Sequence, residues 1–260
     1  MDRLHFAQGR RFAACVALAF VAFGGRAQTA PPAQPISEQR IAQIVASPDR
    51  SAADRSNDQR RKPEQMLAFI GLRPGMVALD VSAGGGYTTE LLARSVGAGG
   101  HVYAQNTDMF LKNFVKGRFD LRMKTPAMRN VSHHVREFDE PVPSEVSPAS
   151  LDRVTLMFNY HDLGWVGTDR ARMNRAVFAA LKSGGQYIIA DHSGRPGTGI
   201  SESKTLHRIE EAFLRKEVEA AGFRLVEEGG FLRNPKDRRD LSVFKNDQPN
   251  DEFVLKFVKP

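Results

Sequence analysis

The chain has 260 residues, 41% of them hydrophobic, with a formal charge of +7 and a single cysteine, Cys15. That length sustains one substantial core, and a lone thiol excludes a disulfide framework, so the fold must hold by packing. The charge does not describe a nucleic-acid binder: residues 1–27 carry four Arg and one Asp, leaving +4 spread over the remainder, and Arg60-Arg61-Lys62 reads as a solvated approach to a helix.

Residues 1–27 join a basic start (Arg3, Arg10, Arg11) to the apolar run AACVALAFVAFGG and to small residues at Gly25 and Ala27. This is the composition of a secretory signal peptide cleaved after Ala27; an uncleaved anchor is the alternative. The run is too short to persist as a membrane-spanning helix. An exported, periplasmic protein without stable membrane insertion is therefore expected. Residues 28–37 read as a Pro/Ala-rich linker and 38–62 as a polar helical leader, with the domain proper over 63–260.

Pro63 opens a helix whose Met66, Leu67, Phe69 and Ile70 give one apolar face, with Gly71 as its cap. Strands and helices then alternate. MVALDV (76–81) reads as a buried strand, YTTELLARSV as a helix, HVYAQ (101–105) as a second strand, and a helix follows with Phe110, Leu111, Phe114 and Val115. VSHHVREF (131–138) and LDRVTLMF (151–158) are the third and fourth strands, 169–185 a helix with a glycine stop, and QYIIAD (186–191) the fifth strand. One long helix is expected from Lys204 to Ala221, then FRLVEEG and DEFVLKFV as an antiparallel pair at one edge. The pattern implies an α/β fold: a doubly wound, mostly parallel seven-stranded sheet with an antiparallel last strand.

The stretch DVSAGGG (80–86) leads from the first strand into a helix. Glycines there let a ligand approach the main chain and permit unusual backbone angles, and free N–H groups at the helix start suit an anion. The dinucleotide pattern G-x-G-x-x-G does not fit, because Ser82 and Tyr87, or Thr89, fall where glycines belong. Acid-x-G-x-G-x-G does fit, in part, at Asp80, Gly84 and Gly86. This resembles the first motif of class I S-adenosylmethionine-dependent methyltransferases. LKSGGQYIIAD (181–191) and AAGFRLVEEG (220–229) resemble later segments of that family, so the similarity spans 63–258; with its leader, the chain is similar to the exported branch of predicted methyltransferases. The resemblance implies S-adenosylmethionine as cofactor and a small-molecule acceptor. It implies that Asp80, Gly84 and Gly86 flank the methionine part, with Asp80 facing its ammonium directly or through water. Ser82 stands in place of the first motif glycine, Asn106 (beside Gln105) in place of the usual ribose-binding acid, and Asp139 where the family meets the adenine amino group.

Two strand ends carry the other chemistry: FNYHDLGW (158–165) and ADHSGRPGTG (190–199). If strands four and five are neighbours, Asn159, Tyr160, His161, Asp162, Asp191 and His192 converge, and His207 can point back toward them. An acceptor must lose a proton as it attacks, which suits imidazole. His161 and His192 are the first catalytic candidates, with Asp162 and Asp191 orienting them. No metal is assigned, although a zinc or copper site from His161, His192, His207 and an acid is one alternative, and purely structural roles are another. His133 and His134 are treated as structural. The segment 193–203 suits either a lid or a plain surface loop, and residues 47–62 a cover over the cofactor. A methyltransferase-fold protein that binds a ligand or metal without methyl transfer is the competing function.

Overall fold

The computed structural model describes residues 1–2 and 34–260. The expected signal segment, Cys15 and most of the spacer lie outside the described residues. Among the described residues no helix is long and apolar enough to cross a membrane.

Seven strands form one sheet in the order β3-β2-β1-β4-β5-β7-β6. They are β1 (Val77–Val81), β2 (His101–Asn106), β3 (Val131–Val135), β4 (Leu151–Met157), β5 (Leu181–His192), β6 (Arg224–Gly229) and β7 (Glu252–Val258). Strands β1 to β5 pair in parallel, and β7 runs antiparallel to both β5 and β6. Because side chains alternate across a strand, Ala78 joins the core on one face while Leu79 and Val81 join the core on the other. Asp80 shares the face of Ala78, with Ala104 and Thr155 opposite it on the neighbouring strands.

The Ala78 face is covered by α1 (Glu38–Val45), α3 (Pro63–Ile70) and α4 (Tyr87–Val96) through Ile41, Ile44, Leu67, Ile70 and Leu92. The opposite face holds α7 (Arg170–Ala180) and α9 (Glu211–Ala220) through Met173, Val177, Leu214 and Val218. Between α1 and α3 lies α2 (Ala52–Arg61), capped by the Ser51 hydroxyl accepting from the Asp54 N–H. Lys62 ends it at φ 44°, and Pro63 restarts the chain at the first position of α3. A residue before proline is disfavoured in the helical region, so the break is written in the sequence. Two short helices, α5 (Asp108–Phe110) continuing as a π-turn over Leu111–Val115 and α6 (Arg118–Met123), precede β3.

Two expectations change. The helix expected over 204–221 is two helices, α8 (Ser203–Leu206) and α9. Between them His207 takes φ 54°, Ile209 bridges Ser193, and the fully buried Arg208 donates to the carbonyls of Ser193 and Leu241. Satisfying a buried guanidinium outweighs helix propensity there. The helix before β5 stops at Ala180, because Leu181 already pairs with Leu151. The last two strands pair antiparallel at one edge of the sheet as expected, with β6 outermost and β7 beside β5.

Candidate functional site

The sheet order reverses between β1 and β4, the place where open α/β sheets bind ligands. A cavity of about 900 Å³ lies there. Its floor is Asp80, Ser82, Gly84 and Gly85; its far wall is His161, Asp162, His192 and His207; α2 contributes Asp54, Asn57, Arg60 and Arg61.

The glycine loop is held from behind. Ser82 N–H donates to Gln105 Oε1 at 3.0 Å and Gly84 N–H to Asn106 Oδ1 at 2.8 Å. Asn106 is 1% exposed, also meets His133 Nε2 at 3.2 Å, and does not line the cavity. Its amide therefore fixes the loop's shape instead of facing a ribose. Gly84, at φ 56°, opens on the cavity, whereas Gly86, at φ 84°, does not line it. A Cβ on Gly86 would sit 2.7 Å from Arg122 Cδ. That glycine makes room for Arg122, which donates to the Gly85 carbonyl, to both oxygens of Asp54 and to Glu90. Asp139 also stays outside: its Oδ1 accepts the Asp169 N–H at 3.2 Å, at the start of α7.

Asp80 is buried at the cavity floor and accepts hydroxyl hydrogen bonds from Thr89 at 2.6 Å and Thr155 at 2.8 Å. Burial pushes its carboxyl up to about 6, against the two hydroxyls and the Arg61 guanidinium, which pull it down. Arg61 lies over the Phe158 ring at 3.9 Å, and its Nε has no partner among the described residues. Burial, with Arg60 nearby, lowers it to about 9.

Strands β4 and β5 are neighbours, so the two polar strand ends do converge, except that the buried Tyr160 does not line the cavity and its hydroxyl meets Glu217. Asp191 is fully buried; its Oδ2 accepts the His161 N–H at 2.7 Å, and its Oδ1 the His192 N–H at 2.8 Å and His161 Nδ1 at 2.6 Å. His161 Nε2 faces Asp162 Oδ1 at 3.2 Å. Burial would lower His161, but the Asp191 and Asp162 carboxylates outweigh it and raise the imidazole to about 10. Burial would likewise raise Asp162, yet the His161 hydrogen bond holds it below the usual range. His192 differs: burial lowers it, with Glu252 2.9 Å from its Nδ1 working the other way. The two candidate bases are thus shifted in opposite directions.

Ser82 links these groups to the loop. At φ 56° its hydroxyl donates to Asn159 Oδ1 at 2.5 Å, and Asn159 Nδ2 donates to Asp162 Oδ2 at 2.7 Å. Trp165 Nε1 donates to Asp162 Oδ1 at 2.8 Å. Three residues with side chains hold left-handed backbone angles on this cavity, namely Ser82, Phe158 and His207, and such strain collects at functional sites.

Residues of the 47–62 segment, Asp54 among them, do line the cavity as expected, whereas sequence reasoning missed Arg118, Arg122, Phe114 and Phe244 there. Phe114 and Phe244 are 50% and 77% exposed, and aromatic residues in polar segments were the one available signal. The segment 193–203 does not line the cavity; Gly194 and Gly199 bond Ile209 and Glu210 instead.

No family model matches the chain. Over 123 residues it is 31% identical to the ubiquinone/menaquinone biosynthesis C-methyltransferase of Vibrio cholerae, covering 47% of this chain and 44% of that protein. The chain thus matches under half the length of the curated relatives found. Among solved structures, a SAM-dependent methyltransferase from Aquifex aeolicus aligns over 86% of this chain and all of its own, with TM-score 0.59 and 18% identity. A Haemonchus contortus phosphoethanolamine N-methyltransferase, in complex with phosphomonomethylethanolamine and S-adenosylhomocysteine, aligns over 78% of this chain and 52% of its own, with TM-score 0.55 and 15% identity. The chain has the class I methyltransferase fold: a mostly parallel seven-stranded sheet whose last strand is antiparallel.

Proposed function

We propose that the protein is an S-adenosylmethionine-dependent methyltransferase acting on a small molecule. One observation carries the reading: an ionisable Asp80 and a side-chain-free Gly84-Gly85 edge open into one cavity across from His161, Asp162 and His192. The residues fit the cofactor. Asp80 would meet its ammonium, and the Arg61 guanidinium, which lines the same cavity, suits its carboxylate. A volume of about 900 Å³ lies within the range of cavities that hold cofactors with substrates. Ser82, Gly84 and Gly86 shape the loop, Gly86 by admitting Arg122.

The cofactor supplies an electrophilic methyl group when bound. This chain's residues position the acceptor against it and handle the acceptor's proton, which is where proximity and orientation count most. His192, on the cavity wall, is the proposed proton acceptor, and the His161–Asp162 pair orients the acceptor's polar group. The apolar rim of Phe114, Trp165 and Phe244 favours an acceptor with an apolar body. The Vibrio cholerae relative, named for quinone biosynthesis, supports such a class. Export to the periplasm belongs to the same proposal and rests on the composition of residues 1–27; the N-terminal sequence of protein recovered from cell fractions tests it.

Calorimetric titration of the purified chain with S-adenosylmethionine and S-adenosylhomocysteine tests the main reading. Micromolar binding, lost in Asp80→Ala, is expected. A wild-type protein that binds neither at millimolar concentration would sink it.

A further inference from the structure

We propose that His161, Asp162 and His207 hold one divalent first-row transition ion, of the zinc class, at the edge of the cavity. One donor atom from each residue lies within 4.8 Å of the others. His161 Nε2 and His207 Nδ1 each stand 3.2 Å from the same oxygen, Asp162 Oδ1. Around an ion with bonds of about 2.1 Å, adjacent donors lie about 3.0–3.4 Å apart. Two of the three edges already have that spacing, and the third lies within 4.8 Å.

The supporting groups are those such a site requires. His161 Nδ1 is fixed on Asp191, so Nε2 is turned toward Asp162; a carboxylate behind a ligating histidine sets its ring and raises its basicity. Asp162 is held on both sides, by Asn159 on Oδ2 and by Trp165 on Oδ1, which leaves Oδ1 a lone pair for the ion. His207 lies at the break between α8 and α9, where it takes φ 54° next to the fully buried Arg208. His192 is not in the set, because it is not among the residues whose donor atoms lie within 4.8 Å of one another.

Two imidazoles and one carboxylate suit zinc and its neighbours rather than magnesium or calcium. All three residues line the cavity, so the remaining coordination positions open onto it. Three protein ligands with an open position is the make-up of a catalytic zinc site, not a structural one. An oxygen of a molecule in the cavity would complete the shell.

The test uses untagged full-length chain, stripped with chelator and free of S-adenosylmethionine, so that it stands apart from the cofactor reading. ZnCl₂ is titrated by calorimetry and CoCl₂ by visible absorption. One equivalent of each ion is expected to bind, with cobalt showing the visible bands of nitrogen and oxygen ligation. His207→Ala should weaken zinc by more than about 100-fold, and Asp191→Asn, one shell out, by about 10- to 100-fold. His207 is only half buried, and circular dichroism checks that its variant is folded. Absence of binding at millimolar zinc, or binding that His207→Ala leaves unchanged, would overturn the site.

Discussion

Asp191 and His161 are joined twice: one carboxylate oxygen takes the His161 backbone N–H at 2.7 Å and the other its Nδ1 at 2.6 Å. Both side chains are shut away from solvent. Removing one partner of a buried pair costs about 3–5 kcal/mol, because the other is left uncompensated. Asp191→Asn is expected to lose roughly that much stability in metal-free urea unfolding, and a loss below about 1 kcal/mol would contradict the buried pair.

Asp80 gives a stability term with a definite sign. Its folded pKa, about 6, lies above the ordinary 3.8. The group's contribution is therefore fully present below 3.8 and lost as pH rises through 6, which amounts to about 3 kcal/mol. Asp80→Asn lacks the term. Between pH 4 and pH 7 the variant should gain about 2–3 kcal/mol relative to wild type in urea unfolding; parallel pH profiles would refute the shift.

The same group predicts how cofactor affinity responds to acid. A bound ammonium needs the ionised carboxylate, so S-adenosylmethionine should bind about tenfold more weakly for each pH unit below 6. Calorimetry at pH 7.5, 6 and 5 reads this directly, and a flat profile would place the ammonium elsewhere.

Ser82 separates backbone strain from hydrogen bonding. Ser82→Ala keeps the left-handed backbone and deletes the bond to Asn159, for an expected loss of about 1 kcal/mol. Ser82→Gly loses the same bond and relieves the backbone by about as much. Glycine should thus match wild type while alanine does not.

Gly84→Ala and Gly86→Ala should differ as well. Both positions have positive φ, but only at Gly86 does an added Cβ strike a side chain, Arg122. Gly84→Ala should cost about 1 kcal/mol and chiefly weaken cofactor binding. Gly86→Ala should cost about 2–3 kcal/mol more, because Arg122 must leave Asp54 and Glu90; equal losses would refute that packing.

By itself the sequence determined the alternation of strands and helices, the sheet type and the glycine turn after Asp80. Those features are local: period-two apolar runs, glycine stops and a proline after Lys62 each act within a few residues. Only the tertiary structure decided what the polar groups face. Asn106 stands at the expected strand end but turns back to hold Gly84. Arg122 crosses from α6 to join Asp54 on α2 with Glu90 on α4. His207 leaves its helix because Arg208 is buried among carbonyls far along the chain. A buried charge takes its partner from whatever the fold brings near, and periodicity says where a side chain points but not what comes to meet it.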